Sequence, residues 1–152
     1  MGNTTCRINS GPGGIEVKLY DLITGQDRYV QPGDMIEFPR GNYNHWAVYV
    51  GNGNVIHLWI EGDDKSNNAE VMESKFEVVV QGSPARINNY PDCFGSRPYA
   101  ADEIVERARR ALGKKGYNLL KYNCEHFATE CRYGRSWSHQ SVGPGLSLGF
   151  FQ

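Results

Sequence analysis

Nowhere in the 152 residues is there a run near the ~18 uninterrupted apolar side chains that a membrane-crossing helix needs, so no transmembrane anchor is expected. Residues 1–10 also lack an apolar stretch, which excludes a secretory signal peptide there. Neither sign of charge is in excess: 16 Lys and Arg face 17 Asp and Glu, for a formal net charge of −1. Nucleic-acid binding works through a basic footprint, so a near-neutral chain argues against nucleic acid as the main partner. The locally basic stretch of Arg107, Arg109, Arg110, Lys114, Lys115 and Lys121 reads as a solvated helix face, with contact to anionic lipid heads as the second reading. Cysteine is scarce. Cys6, Cys93, Cys124 and Cys131 include no CxxC pair, and without an export signal all four are expected to be reduced thiols in a cytoplasmic setting. Cys and His are too scattered for a structural zinc site, so no metal and no cofactor are expected.

What is present suffices for one compact domain. A hydrophobic fraction of 39% with 12% aromatic residues is too rich for intrinsic disorder and can bury a core. Residues 1–14 are rich in Gly, Asn, Thr and Ser. Alternation of Ile15, Val17 and Leu19 with polar residues predicts a strand over 15–20. Gln31-Pro32-Gly33-Asp34 is turn chemistry, followed by a short apolar strand over 35–38. HWAVYV (45–50) and VIHLWI (55–60) are two strands rich in β-branched and aromatic residues, and FEVVV (76–80) reads as a further strand. A polar loop is expected at 63–68 and another loop over 87–98. Ile104, Val105, Ala108, Ala111 and Leu112 recur at helical spacing, which predicts a helix over about 100–112 closed by Gly113. A second helix follows the N-cap residue Asn123 and ends at Gly134.

The two central strands carry a register argument. A two-residue turn at Asn52-Gly53 pairs Val50 with Val55 and puts His57 beside Trp46, Val48 and Val50, away from His45. A three-residue loop pairs Val50 with Asn54 instead. Trp46, Val48, Val50, Ile56, Leu58 and Ile60 then form one wholly apolar face, and His45 and His57 project together from the other. Register follows the hydrophobic pattern, so the second arrangement is expected.

Cys124 falls in the first turn of the second helix, where unpaired N–H groups and the positive dipole end favour a thiolate. A thiolate beside an imidazole is the activated nucleophile of cysteine hydrolases and acyltransferases. Cys131, seven residues on, is expected to pack in the core, and His126 to lie at the surface or behind the site.

Two stretches are specific enough to carry a resemblance. Pro32-Gly33-Asp34-Met35-Ile36-Glu37-Phe38, Tyr43-Asn44-His45-Trp46-Ala47-Val48-Tyr49-Val50-Gly51 and Val55-Ile56-His57-Leu58 resemble an H-box. Asn123-Cys124-Glu125-His126-Phe127-Ala128, with Cys131-Arg132-Tyr133-Gly134, resembles an NC-box. In this order they resemble the lecithin:retinol acyltransferase-like (H-box/NC) proteins, which include the small phospholipase A/acyltransferases. The resemblance implies an α+β fold of the circularly permuted NlpC/P60 type, an antiparallel sheet packed against a helix with the Cys at its N-terminus. It implies Cys124 as nucleophile, His45 as general base and His57 as the third residue that holds the base in its working tautomer. Arg40, Tyr43 and Trp46 become candidates for contacts to substrate or oxyanion, alongside the main-chain N–H of Cys124. The implied chemistry is attack on a glycerophospholipid ester to give an acyl-thioester, at a membrane surface and from the cytoplasm.

The expected organisation is an N-terminal extension with one strand (1–30), the H-box/NC domain (31–138) and a C-terminal tail (139–152). Cellular members carry a C-terminal hydrophobic anchor, which Leu146 to Gln152 do not supply. The final Gln also resembles the ends of picornaviral 2A proteins of the H-box/NC type. An alternative reading is therefore a viral interaction module that binds host proteins without turnover.

Overall fold

A computed structural model of the chain describes residues 30–60, 69–82, 84–117, 122–137 and 150–151. The strand expected at 15–20 and the loop at 63–68 lie outside them. In chain order the elements are β1 (Met35–Pro39), β2 (Asn44–Gly51), β3 (Asn54–Trp59), β4 (Ala69–Lys75), α1 (Phe76–Val80), β5 (Arg86–Ile87), α2 (Tyr90–Cys93), α3 (Ala101–Arg110), β6 (Lys115–Tyr117), α4 (Cys124–Tyr133), β7 (Ser136–Trp137) and β8 (Phe150–Phe151). Six strands form one sheet in the order β5-β1-β2-β3-β4-β6, with every neighbouring pair antiparallel, and β7 pairs with β8 separately. The fold is α+β, as expected.

The central hairpin resolves the register question in an unforeseen way. Val48 pairs with Ile56 and Tyr49 with Val55, the register expected from the apolar face. The turn is nevertheless the two-residue one. Asn52 and Gly53 have φ of 55° and 76°, the left-handed pair that a type I′ turn requires, and Gly51 pairs with Asn54. An irregularity between Tyr49 and Gly51 leaves one extra residue on β2, a β-bulge. Turn chemistry and face chemistry thus ask for pairings one residue apart, and Val50 absorbs the difference.

Both faces of the sheet are covered. On one, Trp46, Val48, Ile56 and Leu58 pack with Ile104 and Ala108 of α3 and with Phe127, Ala128 and Cys131 of α4. On the other, Ala47, Tyr49 and Val55 pack with Ile36, Phe38 and Ile87 and with Phe76 and Val79 of α1. The second face was expected to be mixed, and it is half apolar core and half histidine.

Several expectations need correction. FEVVV is a helix and not a strand. A short apolar run does not reveal its period; here Phe76 and Val79, three apart, both turn into the core, and Gln81 ends the helix in a left-handed conformation. β4, β5 and α2 occupy stretches that carry no plain alternation. In α3, Ile104 and Ala108 are buried and Val105 and Ala111 pack on the core, but Leu112 lies past the helix end and is 38% exposed. Gly113, at φ +85°, turns the chain there and donates its N–H to the Val71 carbonyl at 2.9 Å. Cys93 is disulfide-bonded, whereas Cys124 and Cys131 are free thiols. The compartment argument says which thiols persist in reducing surroundings; it does not say which sulfurs lie close enough to pair. The basic stretch behaves as a solvated face, with Arg109 meeting Glu73 at 2.9 Å, Arg110 meeting Glu106 at 3.4 Å and Lys115 meeting Glu70 at 3.6 Å.

One buried ion cluster ties α4 to the rest. Arg132 donates to Asp92 at 2.8 Å and to the Gly33 carbonyl at 2.9 Å, with Asp34 at 3.8 Å. Removing one member of such a cluster leaves buried charge uncompensated, typically costing about 3–5 kcal/mol. Arg132→Met is expected to lower the unfolding free energy by about that amount, read as a lower urea midpoint. A midpoint within error of the parent would show that the cluster does not hold α4.

Candidate active site

The local sequence builds the mouth of α4. Asn123 has extended backbone, and its side-chain oxygen accepts the N–H groups of Glu125 at 3.0 Å and His126 at 3.1 Å. His126 Nδ1 in turn accepts the Asn123 N–H at 2.9 Å, which completes a capping box in which His stands where Glu or Gln is usual. His126 is fully buried and structural, so of the two places expected for it the structure takes the one behind the site and not the surface. Glu125 is also fully buried and accepts the Tyr90 hydroxyl at 2.6 Å.

Cys124 is the first helical residue and is half-buried. Its thiol lies 3.9 Å from the main-chain carbonyl of Asn44, the residue before His45. Among the described residues that carbonyl is the acceptor the thiol meets. Asn44 is itself held by Glu37, whose carboxylate accepts from Asn44 at 2.6 Å, Asn88 at 3.1 Å and Arg86 at 3.2 Å. Burial pushes the Cys124 thiol up to about 12 and the Glu125 carboxylate adds to the rise; the main-chain N–H groups of Trp46, Cys124 and Glu125 pull against it and lose. The expectation of a resting thiolate is thus overturned. Desolvation of sulfur outweighs the helix end, and the resting group is a neutral thiol.

His45 and His57 come together as the register required. His45 Nε2 and His57 Nδ1 are 2.7 Å apart. Phe38 flanks His45, and Trp59 stands beside both rings, at 5.4 Å and 5.2 Å between centroids. On its far side His57 Nε2 meets the Ser74 hydroxyl at 2.9 Å. His57 is 1% exposed. Burial first, and the Arg40 charge second, hold it down at about 4. His45 is held well below the usual histidine range by burial, then by His57 and Arg40. At neutral pH both rings are uncharged.

Arg40 gathers the site electrically. Its guanidinium donates to the carbonyls of Val79 and Val80 at the end of α1, the second at 3.2 Å. Its charge acts on both histidines, and Tyr43 and Cys124 act on it in return. Tyr43 is 55% exposed, with its main-chain carbonyl taking the Arg40 N–H at 2.9 Å. The Trp46 indole, a candidate for substrate contact, is buried against Tyr90 in the core; what Trp46 brings to the sulfur is its main-chain N–H. Ser74, Asn44, Glu37 and Trp59 were not singled out from sequence. Only the β4 register places Ser74 diagonally across from His57, since Val55 faces Ser74 and His57 faces Met72. Among the described residues no group of His, Cys, Asp and Glu is arranged to hold a metal ion, and no helix is long and apolar enough to cross a membrane.

A helix-borne thiol lodged at the head of a strand, with a neutral histidine pair on that strand and the next, defines an α+β protein of the cysteine–histidine kind. Over residues 28–137 the sequence matches the lecithin retinol acyltransferase family, and the chain belongs to that family. It is 37% identical over 137 residues to human phospholipase A and acyltransferase 4, covering 78% of this chain and 83% of that protein. Human phospholipase A and acyltransferase 2 is 38% identical over 129 residues, covering 77% of this chain and 79% of the relative. Human phospholipase A and acyltransferase 1 is 39% identical over 122 residues, covering 72% and 71%.

The buried histidines make stability depend on pH. In an unfolded chain His57 takes a proton near 6.5, and in the fold only near 4. Its contribution, about 3 kcal/mol, is fully present above pH 6.5 and is lost as pH falls toward 4, because the unfolded state then binds the extra proton. His45 adds in the same direction. Urea midpoints measured from pH 7 to 4.5 should fall steeply for the parent and less for His57→Gln. Parallel curves would mean that His57 is not buried as a neutral ring.

Proposed function

We propose that the chain is a thiol-dependent phospholipase A/acyltransferase that acts on glycerophospholipid esters through an acyl-thioester on Cys124. The observation that carries this reading is the uncharged His45–His57 pair, 2.7 Å between nitrogens, on β2 and β3, with the head of β2 touching the Cys124 thiol. The relatives' names supply the substrate class. The unit responsible is the domain over 31–138. Its order, histidine strands first and cysteine helix after, fits a circularly permuted NlpC/P60 arrangement.

In this mechanism His45 is the general base. A protonated imidazole could not accept a proton, so the neutrality imposed by burial and Arg40 makes it available. Because the thiol rests protonated, sulfur gives up its proton to His45 as it attacks, and no ion pair waits in the resting enzyme. The S–C bond forms as the carbonyl π bond opens, and the oxyanion turns to main-chain N–H groups at the mouth of α4, with the Tyr43 hydroxyl as a further donor. Collapse breaks the C–O bond to the lysophospholipid, whose oxygen takes back the proton from His45. Water, a lysophospholipid, an amine or another alcohol then attacks the thioester with His45 again as base, which regenerates the thiol. His57 holds the Nε2 side of His45 throughout. The exposed Tyr43 beside Arg40 suits contact with a membrane surface from outside, so the enzyme would act peripherally on the bilayer.

Cys124→Ala should abolish fatty-acid release from phosphatidylcholine vesicles, by at least about 10³-fold, with the circular dichroism of the parent. Mass spectrometry after brief exposure to phospholipid should find an acyl adduct on Cys124 and not on Cys131. Equal release by parent and variant would end the enzyme reading. The protonation states give a second test. kcat/KM should hold level from pH 8 down to 6.5 and fall only below, where His45 takes a proton. An acid limb centred at or above 6.5 would contradict a neutral buried base.

A further inference from the structure

The hydrogen-bond chain does not end at the histidine pair. It runs from His45 Nε2 to His57 Nδ1 at 2.7 Å, and from His57 Nε2 to Ser74 Oγ at 2.9 Å. Such a chain can point in two directions. If the Ser74 hydroxyl donates to His57 Nε2, then His57 carries its proton on Nδ1 and donates to His45 Nε2. The neutral His45 ring must then carry its proton on Nδ1, and no lone pair is left to accept one from sulfur. If instead His57 Nε2–H donates to Ser74 Oγ, then His57 Nδ1 accepts from His45 Nε2–H, and His45 Nδ1 is bare. Only the second direction makes a base.

We propose that Ser74 is a positioning residue whose Oγ accepts the Nε2–H of His57 and so fixes the direction of the whole chain, leaving the free nitrogen of His45 unprotonated. This rests on the reading of His45 as general base. Three features favour it. His57 is 1% exposed, so its Nε2–H needs a protein acceptor, and the Ser74 hydroxyl stands 2.9 Å away. Ser74 sits on β4 diagonally across from His57, so the strand ladder fixes its approach. Ser74 is only half-buried, so its own hydroxyl proton can turn toward solvent while its lone pair faces the ring. A carboxylate orients a triad histidine because it only accepts; a hydroxyl does so here because its proton has somewhere else to go.

Two measurements test the inference. In the resting protein, nitrogen-15 spectra of labelled histidine should show His57 protonated on Nε2 and His45 protonated on Nε2 with Nδ1 bare. This readout needs no turnover, so it stands even if the enzyme reading fails. A protonated His45 Nδ1 would overturn the inference. The second measurement is an ordering of variants on phosphatidylcholine vesicles. Ser74→Ala removes the acceptor and should lower kcat on the order of 10-fold with KM unmoved. Ser74→Thr keeps a hydroxyl and should recover most of the rate. Ser74→Asp, which only accepts, should exceed Ser74→Ala. A residue that merely filled space would give the opposite order, with Asp worse than Ala, and that result would overturn the proposal.

Discussion

A hydrogen bond 2.7 Å long between two uncharged imidazoles is the interaction on which the rest of the site turns. Each ring is ambiguous alone, because a neutral histidine carries one proton and two nitrogens to choose from. Joined, the rings share one choice, and fixing either nitrogen fixes the other three. The surroundings serve that choice. Phe38 and Trp59 exclude water, and Arg40 stands close enough to discourage a second proton. A charged pair would repel itself and reach for solvent, so the sheet holds these residues buried as neutral rings.

The sulfur obeys the same rule from the other side. A helix mouth was expected to ionise it, yet burial and the adjacent Glu125 carboxylate keep it protonated. Both partners in the proposed proton transfer therefore rest neutral. Neither needs a counter-ion at rest, and the main-chain N–H groups of Trp46, Cys124 and Glu125 act on the sulfur. Arg40 ties this economy to the scaffold, because the guanidinium that presses on the histidines also closes the end of α1 through two carbonyls. Lysine there would supply the charge without the fork.

Much of this was legible in the sequence. The alternation in HWAVYV and VIHLWI chose a strand register, and that register alone put His45 and His57 on one side; Asn123 and Gly134 bracketed α4 to the residue. Other features were hidden for physical reasons. FEVVV has strand composition, but its fate was set by Phe76 and Val79 reaching a core that no local pattern describes. AEVMESK hides β4 because its outer half is polar, and with β4 unseen Ser74 had no address. The charge state of Cys124 depends on how many atoms crowd the sulfur, a tertiary quantity. Trp46 looked like a ligand contact and is core, because strand alternation sends its indole to the α4 face.

The single extra residue at Val50 has an evolutionary consequence. Surface turns ordinarily accept insertions and deletions of any small size. Here the bulge takes up the residue by which the two-residue turn and the pairing that faces His45 toward His57 differ, so the length of the tip and the side on which the rings lie are tied through that one position. A one-residue change at the tip that no bulge took up would slip the register and turn the histidines apart, together with the apolar side chains of the same strand.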